Sequence, residues 1–137
     1  MNNEDQGQIR VGRAITSEED ALIRWLLDHG AVDPEPFKSQ LSDITVASIC
    51  NCGCPTIYFA FKGEPVTRKG EHLIVDYLAT VEDKDAGVML FECGGYLSSL
   101  EVYTCAGTDK PFGLPEIESL FPWEELAQHR REPPQLG

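Results

Sequence analysis

The stretch VMLFECGGYLSSLEVYT, residues 88–104, decides the fold, because two apolar segments flank a pair of glycines. Gly94 and Gly95 suit the tightest hairpin turn, in which both central residues need a positive φ angle. The stretch therefore predicts an antiparallel β-hairpin in which Cys93 pairs with Tyr96.

The predicted turn pairing also sorts the side chains of the hairpin into two faces, since side chains alternate along a strand. One face is the better core and carries Met89, Phe91, Cys93, Tyr96, Leu100 and Val102. The other face is half-apolar and acidic and carries Val88, Leu90, Glu92, Leu97, Ser99, Glu101 and Tyr103. We expect a helix to cover the first face. Together with the preceding strand, the second face supplies the candidate binding residues Asp76, Glu92, Glu101 and Tyr103.

Strand and helix patterns surround this hairpin. Three further strands are predicted over residues 45–51, 56–62 and 73–80. Upstream, Thr16 or Ser17 caps a helix whose apolar residues recur at three-and-four spacing, and Gly30 ends it. A second short helix is expected over residues 33–41, and a helical turn over residues 114–121. The predicted class is α+β: one or two N-terminal helices packed on an antiparallel meander of about five strands, with a short C-terminal helical turn.

Length and charge narrow the possibilities further. A chain of 137 residues suits one domain, expected over residues 13–126, with flexible polar tails at 1–12 and 127–137. The 11 Lys and Arg against 23 Asp and Glu give a net charge of −12. This charge disfavours binding to nucleic acid or to an anionic membrane, since both depend on basic side chains. It favours another protein, of basic character, as partner.

The location expected from the sequence is cytoplasmic. The N-terminus is acidic and lacks the basic start and apolar run of a signal peptide. No apolar stretch approaches the roughly 18 residues of a membrane span. The five cysteines are therefore expected to be reduced thiols.

Three of the five cysteines form the one unusual local pattern, Cys50-Asn51-Cys52-Gly53-Cys54. Zinc needs thiolates that converge at about 2.3 Å from one ion. On an extended strand, alternate thiols would lie about 7 Å apart, so convergence requires that the loop fold back at the glycine. The pattern leaves three interpretations open: small buried hydrophobic side chains, a structural zinc site, or a redox-active pair.

A zinc site at this loop would need a fourth ligand from elsewhere in the chain. The candidates are Cys93, Cys105 and His72. Cys93 and Cys105 lie at opposite ends of the predicted hairpin, about 30 Å of strand apart, so they cannot both serve one site.

Little else in the sequence predicts chemistry. We find no phosphate loop, no zinc-protease motif and no nucleophile elbow, so an enzyme is the less favoured class. Lys62, Arg68 and Lys69 form the only local basic cluster, on a predicted loop.

Three segments resemble a family of small uncharacterised bacterial proteins. Its members carry an LT-x-E-E-x-x-L-x-x-W-L-L helix, a C-x-C-G-C-P-S hairpin and a G-x-L-S-x-L-E-V strand. The corresponding segments here start at Ile15, Cys50 and Gly95. Thr56 stands where serine is commoner in that family. The resemblance implies a bacterial protein with one intact domain, and it implies no activity, because none is attached to the family.

Two hypotheses from different classes follow. The first is a non-enzymatic protein-binding module without a cofactor, such as an inhibitor, immunity protein or antitoxin-like regulator, that uses its acidic sheet face. The alternative is a small metalloprotein with zinc at Cys50, Cys52 and Cys54.

Overall fold

A computed structural model describes residues 7–104 and 112–127 of the chain. The helices are α1 (Ser17–Asp28) and α2 (Glu35–Lys38), and 3-10 turns span Leu41–Asp43, Ile117–Ser119 and Trp123–Glu125. The strands are β1 (Gln8–Ala14), β2 (Ile44–Cys50), β3 (Ile57–Phe61), β4 (Glu64–Pro65), β5 (His72–Val81), β6 (Lys84–Cys93) and β7 (Tyr96–Thr104). No helix within these described ranges is long and apolar enough to cross a membrane.

The strands form one antiparallel sheet in the order β1-β2-β3-β7-β6-β5, with β4 paired to β3. The predicted α+β class, with helices on an antiparallel sheet and short C-terminal helical turns, is confirmed. The sheet has seven strands rather than five, and β3 lies beside β7 instead of beside β5. The apolar side chains explain this order. Ile57 and Phe59 of β3 are fully buried, which suits a central strand, whereas β5 exposes Leu73 and Asp76, which suits an edge.

The N-terminal segment differs from the prediction. Residues 8–12 were expected in a flexible tail, but they belong to β1, which pairs with β2 from Gln8 opposite Cys50. The side chains of β1 are mostly exposed, so the sequence carries no burial pattern there, and the backbone pairing alone places the strand. Residues 1–6 and 128–137 lie outside the described residues.

Helix α1 packs on the sheet as its spacing predicts. Leu22, Ile23, Leu26 and Leu27 are buried and join one core with apolar residues of the strands. Thr16 caps the helix: its hydroxyl accepts the backbone N–H of Glu19, and the Glu19 carboxylate accepts the N–H of Thr16. This reciprocal capping box fixes where the helix begins.

The glycine hairpin forms as predicted at its turn, where Cys93 pairs with Tyr96. A bulge follows, because Glu92 pairs with Leu97 while Phe91 pairs with Ser99, one residue further than a regular ladder gives. The extra residue lies in β7. Beyond it, each side chain of β7 shares a face with a different set of β6 side chains from the set that a regular hairpin gives.

The predicted core face is therefore wrong for β6. The buried apolar side chains of β6 are those of Ala86, Val88 and Leu90. On β7, Leu100 pairs with Leu90 and Val102 pairs with Val88. The expected core residues Met89, Phe91 and Cys93 are only partly buried, and Tyr96 is exposed. A regular hairpin would pair Met89 with Leu100. Met89 instead pairs with Glu101, and both lie on the outer face of the sheet, the face that α1 does not cover.

Thr56 joins two parts of the sheet through its side chain. Its buried hydroxyl accepts the backbone N–H of Val102 at 2.9 Å and donates to the carbonyl of the same residue at 3.1 Å. The residue before it, Pro55, has no backbone N–H and cannot donate a hydrogen bond to the neighbouring strand. The Thr56 hydroxyl instead acts as both donor and acceptor toward Val102.

Replacing Thr56 by Val should lower the free energy of unfolding by about 1–3 kcal/mol, because two backbone groups of Val102 lose a buried partner. The Thr56→Ser variant keeps the hydroxyl and should lose less than about 1 kcal/mol, the value of one buried methyl group. Urea unfolding of the three proteins measures both changes. Equal losses in the two variants would show that the hydroxyl bonds do not contribute.

Glu19 also joins α1 to β1, since its carboxylate accepts two hydrogen bonds from the Arg13 guanidinium at 2.9 and 3.0 Å. Burial raises the pKa of Glu19, but the bonds from Arg13 and Thr16 outweigh burial and lower it below its ordinary value. The carboxylate therefore stabilises the folded protein above its ordinary pKa, and this stabilisation is lost as pH falls through the depressed value.

The Glu19→Gln variant keeps the capping acceptor and removes the charge, so it should lose roughly 0.5–1 kcal/mol of stability at neutral pH. Urea unfolding at neutral and acidic pH compares it with the wild type. The difference should shrink as the pH falls below the pKa of Glu19. A difference independent of pH would contradict the role of the charge.

Candidate metal centre and outer sheet face

The thiols of Cys50, Cys52 and Cys54 converge in the loop between β2 and β3. Their sulfur atoms all lie within 4.8 Å of one another, and the Sγ atoms of Cys50 and Cys52 are 3.0 Å apart. Cys52 is exposed, and the other two are partly buried. The predicted cluster is therefore present, although one-residue spacing disfavours it on a strand.

The loop achieves this convergence because only Cys50 belongs to a strand. Its backbone N–H bonds to the carbonyl of Thr56, which closes the loop, and the chain then turns at Gly53 with φ of +95°. An L-residue with a side chain is strained at that angle, so the glycine is required there. The expected separation of about 7 Å applies to an extended chain and not to this turn.

Hydrogen bonds to sulfur organise the cluster. The backbone N–H of Cys54 donates to Sγ of Cys52 at 3.3 Å, and the N–H of Cys52 lies 3.5 Å from Sγ of Cys50. The bond from the Cys50 thiol, followed by that from Cys54, lowers the pKa of Cys52. Burial and the neighbouring thiols raise the pKa of Cys50 to about 12. Of these two thiols Cys52 ionises more readily, and the Cys50 S–H donates a hydrogen bond to its sulfur.

The spacing of the sulfur atoms suits a metal ion. Zinc–sulfur bonds of 2.3 Å imply sulfur atoms about 3.8 Å apart at the corners of a tetrahedron. The three atoms here all lie within 4.8 Å of one another, with 3.0 Å between Cys50 and Cys52, so the tetrahedral spacing is within about 1 Å of these two values. Three thiolates occupy three positions and leave the fourth for a solvent molecule or another side chain.

Two of the three candidates for a fourth ligand lie at the far end of the sheet. Cys93 is next to the hairpin turn, and its thiol lies 3.4 Å from the carbonyl of Lys69. His72 contacts the carboxylate of Glu92 at 3.1 Å. The cysteine loop is instead at the end of the sheet where β7 finishes at Thr104. Cys105 lies outside the described residues.

The predicted binding residues do not form one surface. Asp76 pairs with Met89, which pairs with Glu101, so these two acids share a row on the outer face. Asp76 already accepts a hydrogen bond from the indole of Trp123 at 2.8 Å. Glu92 lies at the turn, where it bonds to His72 and accepts the backbone N–H of Gly95 at 2.7 Å.

The fourth predicted binding residue, Tyr103, packs on the sheet next to Gly87, its cross-strand partner. A Cβ atom on Gly87 would lie 2.3 Å from the tyrosine ring, so the ring rests directly on the glycine backbone. The ring is 41% exposed, which leaves its other side accessible.

Sequence reasoning missed two sets of contacts on the outer face. The hydroxyl of Ser99 lies 3.2 Å from carboxylate oxygens of both Glu71 and Glu101, and burial raises the pKa of Glu71. The guanidinium of Arg68 stacks on the Tyr58 ring, 4.4 Å from its centre. The sequence showed the basic loop residues but not the strands that they face.

No family model matches the chain, and comparison with curated proteins and with solved structures also finds no match. The resemblance to a family of small bacterial proteins therefore stays a prediction. What the cysteine loop can do chemically follows from its own geometry.

Substituting Gly87 by Ala should lower the free energy of unfolding by about 1–3 kcal/mol, because the added methyl group displaces the Tyr103 ring. Urea unfolding measures the loss. In a Tyr103→Ala background the same substitution should cost much less, and the difference gives the coupling between the two positions. An equal cost in both backgrounds would contradict this contact.

Proposed function

We propose that this protein is a small metalloprotein in which Cys50, Cys52 and Cys54 bind one zinc ion. The observation that carries the proposal is the convergence of three thiols within 4.8 Å in a loop of five residues. Thiolate ligands favour zinc over harder cations such as magnesium and calcium. Reduced thiols of this kind fit the cytoplasmic location expected from the sequence.

The role proposed for the ion is structural. It would hold the loop between β2 and β3 closed, next to the residues through which β3 meets β7. The backbone N–H groups that point at sulfur support this role, because they stabilise the negative charge of bound thiolates. The high pKa of Cys50 keeps its thiol protonated in the metal-free protein. Zinc would displace this proton, because the ion binds the thiolate form.

A disulfide between Cys50 and Cys52 is the competing chemistry. Their sulfur atoms at 3.0 Å are close enough that an oxidant could join them. The two outcomes exclude each other at the same atoms, so one freshly purified sample, prepared without added reductant, separates them.

The test is the native mass and metal content of the freshly purified full chain, prepared without added reductant, with alkylation of its free thiols. We expect one zinc per chain and protection of three of the five cysteines. The Cys52→Ser variant should lose the metal and unfold at a lower temperature. The Cys93→Ser variant, whose thiol lies at the other end of the sheet, is the matched control and should keep both.

Cobalt substitution gives an independent readout, because thiolate–cobalt charge transfer appears in the near ultraviolet only when sulfur binds the ion. A reduced protein without metal, with five reactive thiols and no cobalt spectrum, would overturn the proposal. A mass lower by two hydrogen atoms would assign the loop to a disulfide instead.

The protein-binding hypothesis stays a prediction. Of the three acids predicted for the binding surface, only Asp76 and Glu101 share a row of the sheet. Glu92 lies at the hairpin turn, where it accepts the backbone N–H of Gly95. A charge-reversal test of that hypothesis therefore needs only these two positions, with Glu92 as an internal control.

A further inference from the structure

A groove of about 540 Å³ runs across the outer face of β1, β2 and β3 and is flanked by the loop after β4. Its floor is a row of paired residues, Arg10 opposite Ser48 and Ser48 opposite Tyr58. Because directly paired residues project to the same side of a sheet, these three side chains face the groove together. The volume lies within the range of sites for small molecules, about 300–1,000 Å³.

The lining of the groove is basic on a strongly acidic protein. Arg10, Arg68 and Lys69 contribute three of the 11 basic residues of the chain, whose net charge is −12. Arg68 is held over Tyr58, and its Nε atom lies 3.6 Å from a carboxylate oxygen of Glu71. Within the described parts of the chain, the ammonium group of Lys69 has no ion-pair partner.

The neutral groups of the groove add hydrogen-bond donors. The hydroxyl of Ser48 donates to Oε1 of Gln8 at 2.8 Å, so this bond uses the amide oxygen of Gln8 and not its N–H donors. The Tyr58 phenol is protonated at neutral pH, as a tyrosine ordinarily is, and burial raises its pKa further, to about 12. These donors, together with the cations of Arg68 and Lys69, suit an anion.

We propose that this groove binds a small phosphorylated molecule. The Arg68 guanidinium and the Lys69 ammonium match a phosphate, which offers several oxygens to a forked donor and to a point charge. The acidic remainder of the chain repels a long polyanion, which needs many phosphate contacts along its length. A compact phosphate ester is short enough to contact the basic groove without reaching the acidic surface around it. This inference does not depend on a metal at the cysteine loop.

The experiment is calorimetric titration of the full chain with inorganic pyrophosphate at constant ionic strength. The protein is treated with a chelator beforehand, so that the probe does not act on a bound metal ion. We expect saturable binding of one pyrophosphate per chain. The Lys69→Gln variant should bind about tenfold more weakly, the loss of one charge-assisted hydrogen bond.

The matched control is Lys84→Gln, which makes the same charge change at the exposed first residue of β6. It should bind as the wild type does. Arg68→Gln provides a second variant in the groove, and far-ultraviolet circular dichroism checks that each variant is folded. Equal weakening by the two lysine variants would reduce the effect to net charge and overturn the proposal.

Two further titrations define the ligand. Succinate, a small dicarboxylate, should bind more weakly than pyrophosphate, and equal affinity would contradict the assignment to phosphate. A single-stranded oligonucleotide should not compete. Tighter binding of the oligonucleotide would assign the groove to nucleic acid and overturn the proposal, as would the absence of saturable pyrophosphate binding.

Discussion

The contact between β3 and β7 is the constraint on which the rest of the structure depends. It joins the strands that come early in the chain to the long hairpin β6–β7, and it consists of two register pairs, Ile57 with Leu100 and Tyr58 with Ser99. Thr56 extends this short contact with two side-chain hydrogen bonds to Val102. A five-residue strand thus holds together two halves of one sheet.

The position of every candidate functional group follows from that contact. Cys50 ends the strand beside β3, and the loop that carries the other two thiols returns to the sheet at Thr56. Tyr58, one pair further along, lies on the floor of the basic groove and is paired with Ser99. Since α1 covers the inner face of the sheet, polar chemistry is confined to the outer face and to the loops at its ends.

Local features of the fold could be predicted from the sequence, because they depend on nearby residues. The glycine turn, the capping box at Thr16 and the buried side of α1 all belong to this class. The bulge in β7 could not be predicted, since one extra residue satisfies the same apolar pattern in another register. The pairing of β3 with β7 is equally hidden, because it joins segments separated by some 40 positions without a short turn between them.

The candidate site shows the same division. The cysteine pattern indicated a possible metal centre, but only the turn at Gly53 shows how closely spaced thiols meet. The acidic face was predicted from a regular hairpin, and the bulge removes Glu92 from it. The groove depends on a strand that the sequence barely marks, because β1 exposes most of its side chains and buries none.

The C-terminal segment has a consequence for the behaviour of the protein at high concentration. Strand β5 is the last strand of the sheet, but Phe121 exchanges two backbone hydrogen bonds with Leu78 of that strand, at 2.8 and 2.9 Å. The bond from Trp123 to Asp76 holds the same segment along the strand. An open strand edge is a template on which a second molecule can add its own strand. By pairing with this edge at Leu78, residues 121–123 block that addition, so the C-terminal segment of the domain limits sheet growth between molecules on the β5 side.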